Sequence, residues 1–160
     1  MSETAAKDVD VREIAQCSCL RLRRISRRMT QIYDRALEPE GLTVNHFGIL
    51  GRLYGARLRN ETVSISMLAD RLGMDPTTLN RSLKPLEKVS LIADRSDPKD
   101  RRVRAVVITD AGIDKLALVV PLWRSAQANI DSALGIDTSV ALNGLLELSY
   151  AKMAAGGSNL

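Results

Sequence analysis

Apolar residues recur along most of this chain at steps of three and four, and each such run opens with the same short grammar. A polar capping residue is preceded by an apolar residue and followed, four positions on, by another, the hydrophobic staple of a helix start. Thr43 lies between Leu42 and Phe47, Ser64 between Val63 and Leu68, Asp75 between Met74 and Leu79, and Thr109 between Ile108 and Ile113. Asp137, with Ile136 before it and Ala141 after it, is a weaker fifth case. Pro76 follows Asp75 at the first helical position, where its missing N–H costs nothing.

These starts divide the chain into six helices. The first runs from about Asp10 to Glu38, with a stripe of Ile14, Cys17, Ile25, Met29, Ile32 and Ala36, and is ended by Pro39 and Gly41. The second covers about 43–57. The third covers 64–72 on one clean face of Ile65, Leu68, Ala69 and Leu72, closed by Gly73, and the fourth covers about 75–89 with Leu79, Leu83 and Leu86 inward. The pattern then turns β-rich, in Leu91-Ile92-Ala93 and again from Val103 to Ile108, around a polar stretch from Asp94 to Arg102. That arrangement predicts a β-hairpin with a long charged tip. A fifth helix follows from 109 to about 134, kinked at Pro121 and closed by Gly135, and a sixth spans about 137–154. The expected fold class is mostly α with a small β-hairpin (α+β). One domain covers 10–154, with disordered ends at 1–9 and 155–160 and a compact lobe over 43–108 whose hairpin is 91–108.

The chain of 160 residues and 17.5 kDa is long enough to bury roughly 70% of its unfolded surface without a disulfide or metal staple. No apolar run approaches a membrane span, and the first residues lack the basic start and apolar stretch of a signal peptide, so the expected home is the cytoplasm. Two cysteines one residue apart make no disulfide framework. Of the 23 basic residues 17 are arginine, and residues 11–36 carry a net charge of +5. Arginine pairs with phosphate through a planar fork, which makes a polyanion a reasonable partner.

Residues 64–89 are two short helices around the Gly73 turn, a helix-turn-helix whose second helix is shaped for a major groove. Opposite its leucines this helix shows Thr77, Asn80, Arg81, Lys84 and Lys88, with Thr78 in its first turn. Arginine and asparagine make two-pronged hydrogen bonds to guanine and adenine, while lysine and threonine serve phosphates. Ser64, at the start of the preceding helix, joins this candidate set. The hairpin tip adds Arg95, Lys99, Arg101 and Arg102, and an arginine-tipped finger suits the narrow minor groove.

The stretch from Ser64 to Lys88, followed by Leu91-Ile92, then D-R-S-D-P-K-D-R-R over 94–102 and V-x-I-T-x-x-G ending at Gly112, resembles the MarR family of winged helix-turn-helix transcription regulators. The likeness extends over about 11–154, including Tyr33-Asp34-Arg35-Ala36-Leu37 and Pro121-Leu122-Trp123. It implies a homodimer in which helices 10–38 and 109–154 interleave, and two winged lobes that bind double-stranded DNA at a pseudo-palindromic operator. It further implies that the helix 75–89 enters the major groove and that Arg101 reaches the minor groove. The resemblance also implies release from DNA on binding of a small aromatic or phenolic effector, or on oxidation of a cysteine. Two departures stand out: Val89-Ser90 where the family often has glycine, and Pro85 within the recognition helix, which predicts a bend near Arg81.

The expected function is therefore a DNA-binding regulator, a repressor released by a small molecule. One alternative is a thiol-based redox sensor using Cys17 or Cys19, which sit beside Arg21, Arg23 and Arg24. On one continuous helix those cysteines stand about 200° apart and cannot pair with each other. Another alternative is a winged dimer that binds protein without DNA. Arg21, Arg24 and Arg28 share a face, for ion pairing across a dimer, for an anionic effector or simply as a solvated surface. His46, the single histidine, is expected exposed near the start of the second helix, too isolated for a metal site. Phosphate-cradling loops and nucleophile signatures are missing, so no enzyme and no cofactor are expected.

Overall fold

The computed structural model describes residues 10–96 and 104–156. Within them the order is α1 (Val11–Ala15), α2 (Ser18–Leu37), a 3-10 turn (Glu38–Glu40), α3 (Val44–Leu58), α4 (Ile65–Leu72), α5 (Pro76–Lys88), β1 (Ile92–Ser96), β2 (Arg104–Ile108), α6 (Asp110–Leu134) and α7 (Ile136–Gly156). The fold is mostly helical with one antiparallel hairpin, as the periodicity predicts.

Four of the five expected caps form. Thr43, Ser64, Asp75 and Thr109 are extended residues whose side-chain oxygens accept from the backbone N–H of His46, Met67, Thr78 and Gly112. Each removes one of the unsatisfied donors at a helix start, worth about 1 kcal/mol per cap. The fifth differs: α7 begins at Ile136, and Asp137 lies inside its first turn. His46 is half-buried rather than exposed, because its Nδ1 accepts from Thr43 N at 3.4 Å and completes that capping box. Burial lowers the His46 pKa below the usual histidine value, and the nearby Asp34 carboxylate partly opposes this.

The first helix is not continuous. It is capped by Asp10, stops at Ala15, and restarts at Ser18 after Cys17 turns extended with φ −57° and ψ 116°. Cys17, Ser18 and Cys19 are weak helix formers, and the predicted stripe skips from Cys17 to Ile25, so neither propensity nor burial among the described residues holds that turn. Both cysteines are exposed. The strands also differ from expectation. β1 runs on through Asp94 and Arg95, and the register pairs Ile92 with Ile108 and Ser96 with Arg104. α5 continues through Pro85 and α6 through Pro121.

The core lies in the winged lobe, where Leu53, Leu68, Leu79, Leu83 and Leu86 are all at most 2% exposed. Backbone pairing of Val106 N with Val63 O at 3.1 Å, and a bridge between Ser64 and Ala105, tie the start of α4 to the hairpin. α6 seats on the same lobe: Trp123 stacks on Phe47 with ring centroids 5.5 Å apart. Gly112 is required there, since a Cβ would stand 2.1 Å from the Leu91 carbonyl oxygen. Thr109 closes this corner by donating through its hydroxyl to the Ser90 carbonyl at 2.7 Å. Ser90 itself has φ +57°, a left-handed turn taken without glycine, which costs roughly 1 kcal/mol.

Candidate nucleic-acid interface

α4 and α5 meet at the left-handed Gly73 (φ 62°), and α5 turns Leu79, Leu83 and Leu86 into the core. Those leucines fix the helix about its own axis, which leaves Thr77, Arg81, Lys84 and Lys88 on the exposed side. Lysines and an arginine at steps of three and four give that face a positive stripe one helix wide, matched to a groove lined by phosphates.

Other predicted contacts are partly occupied within the chain. Thr78 is exposed, but its hydroxyl donates to Asp75 Oδ2 at 2.5 Å. This bond, with the Thr78 N–H, holds the Asp75 carboxyl below its usual range. Ser64 is 8% exposed, and its hydroxyl serves the α4 cap and meets Ser66 Oγ at 3.0 Å. Arg95 is exposed on β1. Lys99, Arg101 and Arg102 lie outside the described residues.

Asn80 is half-buried and held at both ends of its amide. Its Nδ2 donates to the Pro76 carbonyl at 2.9 Å, and its Oδ1 accepts from Arg104 Nη1 at 2.9 Å. Arg104 also donates from Nε to Asp94 Oδ1 at 2.9 Å and from Nη2 to Glu87 Oε1 at 2.5 Å. One guanidinium at the tip-side end of the paired strands thus joins β1 to two positions of α5. These partners, Asp94 first, raise the Arg104 pKa further. Reading the sequence singled out Asn80 and missed Arg104, Glu87 and Asp94 as a group. The signal was present: Asn80 and Glu87 stand seven apart on one helix face, and strand alternation turns Arg104 outward while Ala105 points in.

Away from this face, Glu61 receives Arg71 and Arg59, which lower its pKa to about 2 and fasten the α3–α4 loop. Where α2, α6 and α7 meet, Tyr33 donates to Gln127, while Gln127 Nε2 and Ser139 Oγ donate to Asp131 Oδ1 at 2.9 and 2.7 Å. Burial, with the Asp131 charge adding to it, raises the Tyr33 pKa. Among the described residues no three His, Cys, Asp or Glu side chains gather as a metal site, and no helix is long and apolar enough to cross a membrane.

A helix-turn-helix whose second helix presents a basic face, braced by an adjoining hairpin, defines the class of winged-helix DNA-binding proteins. A model of the MarR family matches residues 40–103. The M. tuberculosis transcriptional regulator MosR, solved in complex with DNA, is 32% identical; the match covers 88% of this chain and 98% of that one, with a TM-score of 0.73. The transcriptional repressor CouR bound to a 23-mer duplex shares the fold at 23% identity, with a TM-score of 0.75 over 90% of this chain and 99% of that one. The S. aureus MepR–DNA complex does so at 21% identity and 0.69, over 86% and 96%. The chain belongs to the MarR family of DNA-binding transcriptional regulators.

Proposed function

We propose that this protein is a homodimeric repressor. It grips a pseudo-palindromic operator with two copies of α5 and the wing, and a small aromatic or phenolic molecule releases it. The observation that carries the DNA half is the exposed basic face of α5; in this reading Arg81 meets a base edge and Thr77, Lys84 and Lys88 meet phosphates. Lys99, Arg101 and Arg102 of the wing tip enter this reading from the sequence alone, with Arg101 in the minor groove.

Support for the dimer comes from α7. Its apolar residues are spread around the helix among Asp137, Asn143, Glu147 and Lys152, and among the described residues none of them is buried; Val140 is 65% and Leu145 62% exposed. Exposed apolar side chains in this number mark an interaction surface, and a second copy would cover it. Support for the effector is an open groove of about 1390 Å3 between α2 and α7, where Arg21, Arg24 and Arg28 adjoin Leu142, Leu145 and Leu146. Guanidiniums beside leucines suit a flat apolar ring bearing a negative oxygen.

The test is fluorescence anisotropy with the duplex upstream of the coding sequence, with scrambled competitor, at two salt concentrations. Saturable binding that survives competitor and weakens steeply with salt is expected. No binding even at low salt would overturn the reading and favour a protein-binding role.

A second reading, release by oxidation, is favoured by the helix break at Gln16 and Cys17. Because Cys17 sits outside the helix, the 200° separation that would keep it from Cys19 does not apply. Hydrogen peroxide would convert one thiolate to a sulfenic acid, and the other thiol would displace its oxygen as water to form a disulfide. Peroxide should then release DNA from the wild type but not from Cys17→Ser; equal release from both removes this reading.

A further inference from the structure

We propose that Arg104 is a positioning residue that locks the wing to the recognition helix through Asp94, Asn80 and Glu87, and that Asn80 belongs to this lock rather than to base reading. The inference rests on the DNA-binding reading for its consequence, but its geometry is independent of DNA.

Arg104 opposes Ser96 across the hairpin, so Asp94 is its diagonal neighbour on β1. The Nε–H takes that carboxylate, while Nη1 and Nη2 reach across to Asn80 and Glu87, two turns apart on α5. A planar guanidinium projects its N–H groups in fixed, divergent directions, and here three of them end on three different side chains. Two hinge motions are thereby restrained together: twist of the hairpin about its root, and sliding of the hairpin along α5. A lysine could satisfy one of these acceptors but has no rigid fork to span all three.

Asn80 shows the consequence most plainly. Two-pronged recognition of adenine needs both its amide oxygen and its amide N–H groups in the groove. In this protein the oxygen is taken by Arg104 and one N–H by the Pro76 carbonyl, which turns the amide toward the wing. Half-exposed ion pairs of this kind add little to folding stability. Their value lies in presenting the major-groove helix and the wing at one fixed angle, so that DNA binding need not order the wing.

The test is a double-mutant cycle on full-length protein with the same upstream duplex, using Asn80→Ala, Arg104→Ala and both together. Each single change is expected to weaken binding about tenfold and the pair no more than either alone, since both break one lock. Arg104→Lys should resemble Arg104→Ala. Across duplexes carrying single base-pair changes under α5, Asn80→Ala should lose the same factor on every one. Losses that multiply in the double variant, or an Asn80→Ala loss that disappears at one altered base pair, would overturn the proposal. Hydrogen exchange of the Ile92–Arg95 amides in DNA-free protein separates the two readings. Faster exchange in both single variants supports the lock whatever the DNA result, whereas unchanged exchange in both overturns it. Wild-type protein that binds no duplex while showing the exchange effect would sink the DNA reading and leave the lock standing.

Discussion

The winged lobe and the helical arm use leucine in opposite ways. In the lobe, Leu68, Leu79, Leu83 and Leu86 are sealed by α3, α4, α5 and the hairpin of the same chain. In the arm, Leu145, Leu148 and Met153 of α7 stand 62%, 52% and 69% exposed, and Leu20 and Leu22 of α2 are likewise open. Residues of one type and similar helical spacing are therefore complete in one region and unfinished in the other. A lobe whose core leucines find partners within the chain, with Leu58 at the end of α3 left open, can hold a rigid DNA-facing surface. An arm whose leucines stay open suits the proposed second copy, and in that proposal its packing can differ between two states without disturbing the lobe.

The comparison breaks most visibly if the arm is charged. Leu145→Glu places an unpaired carboxylate twice in a two-fold interface, so the dimer should weaken about 1000-fold. The far-ultraviolet spectrum should persist, because the lobe core is untouched. Sedimentation equilibrium checks this, and an unchanged dimer would show that α7 faces solvent. Breaking the lobe instead needs only a methyl group. Gly112→Ala pushes a Cβ into the Leu91 carbonyl and should cost about 3 kcal/mol of stability by denaturant melting. A loss below about 0.5 kcal/mol, the range of neutral surface changes, would show that α6 is not seated as described.

The same contrast sharpens on the DNA side. Arg81→Ala should reduce discrimination between operator and scrambled duplex by about 2 kcal/mol, the worth of one two-pronged base contact. An equal loss on both duplexes would make Arg81 a phosphate contact. The smallest effect concerns acid. His46 has a lowered pKa in the folded lobe and must be neutral at Nδ1 to accept from Thr43. Below about pH 6.5 the unfolded chain therefore binds the proton more readily, and stability falls as pH drops through that value. His46→Gln should flatten this part of the stability–pH curve, while a curve unchanged by the substitution would contradict the role given to the imidazole.

Much of the lobe was legible because its signals are local. The staples at Thr43, Ser64, Asp75 and Thr109 each lie within six residues, and the inward leucines of α5 follow from spacing alone. What stayed hidden depends on distant parts of the chain. Arg104 became important only when the hairpin folded over α5, 24 residues away from Asn80. The His46 ring was expected in solvent because its bond to Thr43 uses an unusual residue for a capping box. The break at Cys17 was missed because an apolar stripe can be drawn through it, although Cys17 and its neighbours are exposed among the described residues. The polar cluster of Tyr33, Gln127, Asp131 and Ser139 unites three helices, and only its Gln127–Asp131 pair follows a local spacing.

The most direct test of the central claim, a self-sufficient DNA-reading lobe on an arm completed by a second copy, is native mass spectrometry with the upstream duplex and its scrambled counterpart. The account predicts a dimer in the free protein and two chains on one upstream duplex, with no stable complex on the scrambled one. A monomer when free and a single chain bound per duplex would contradict it.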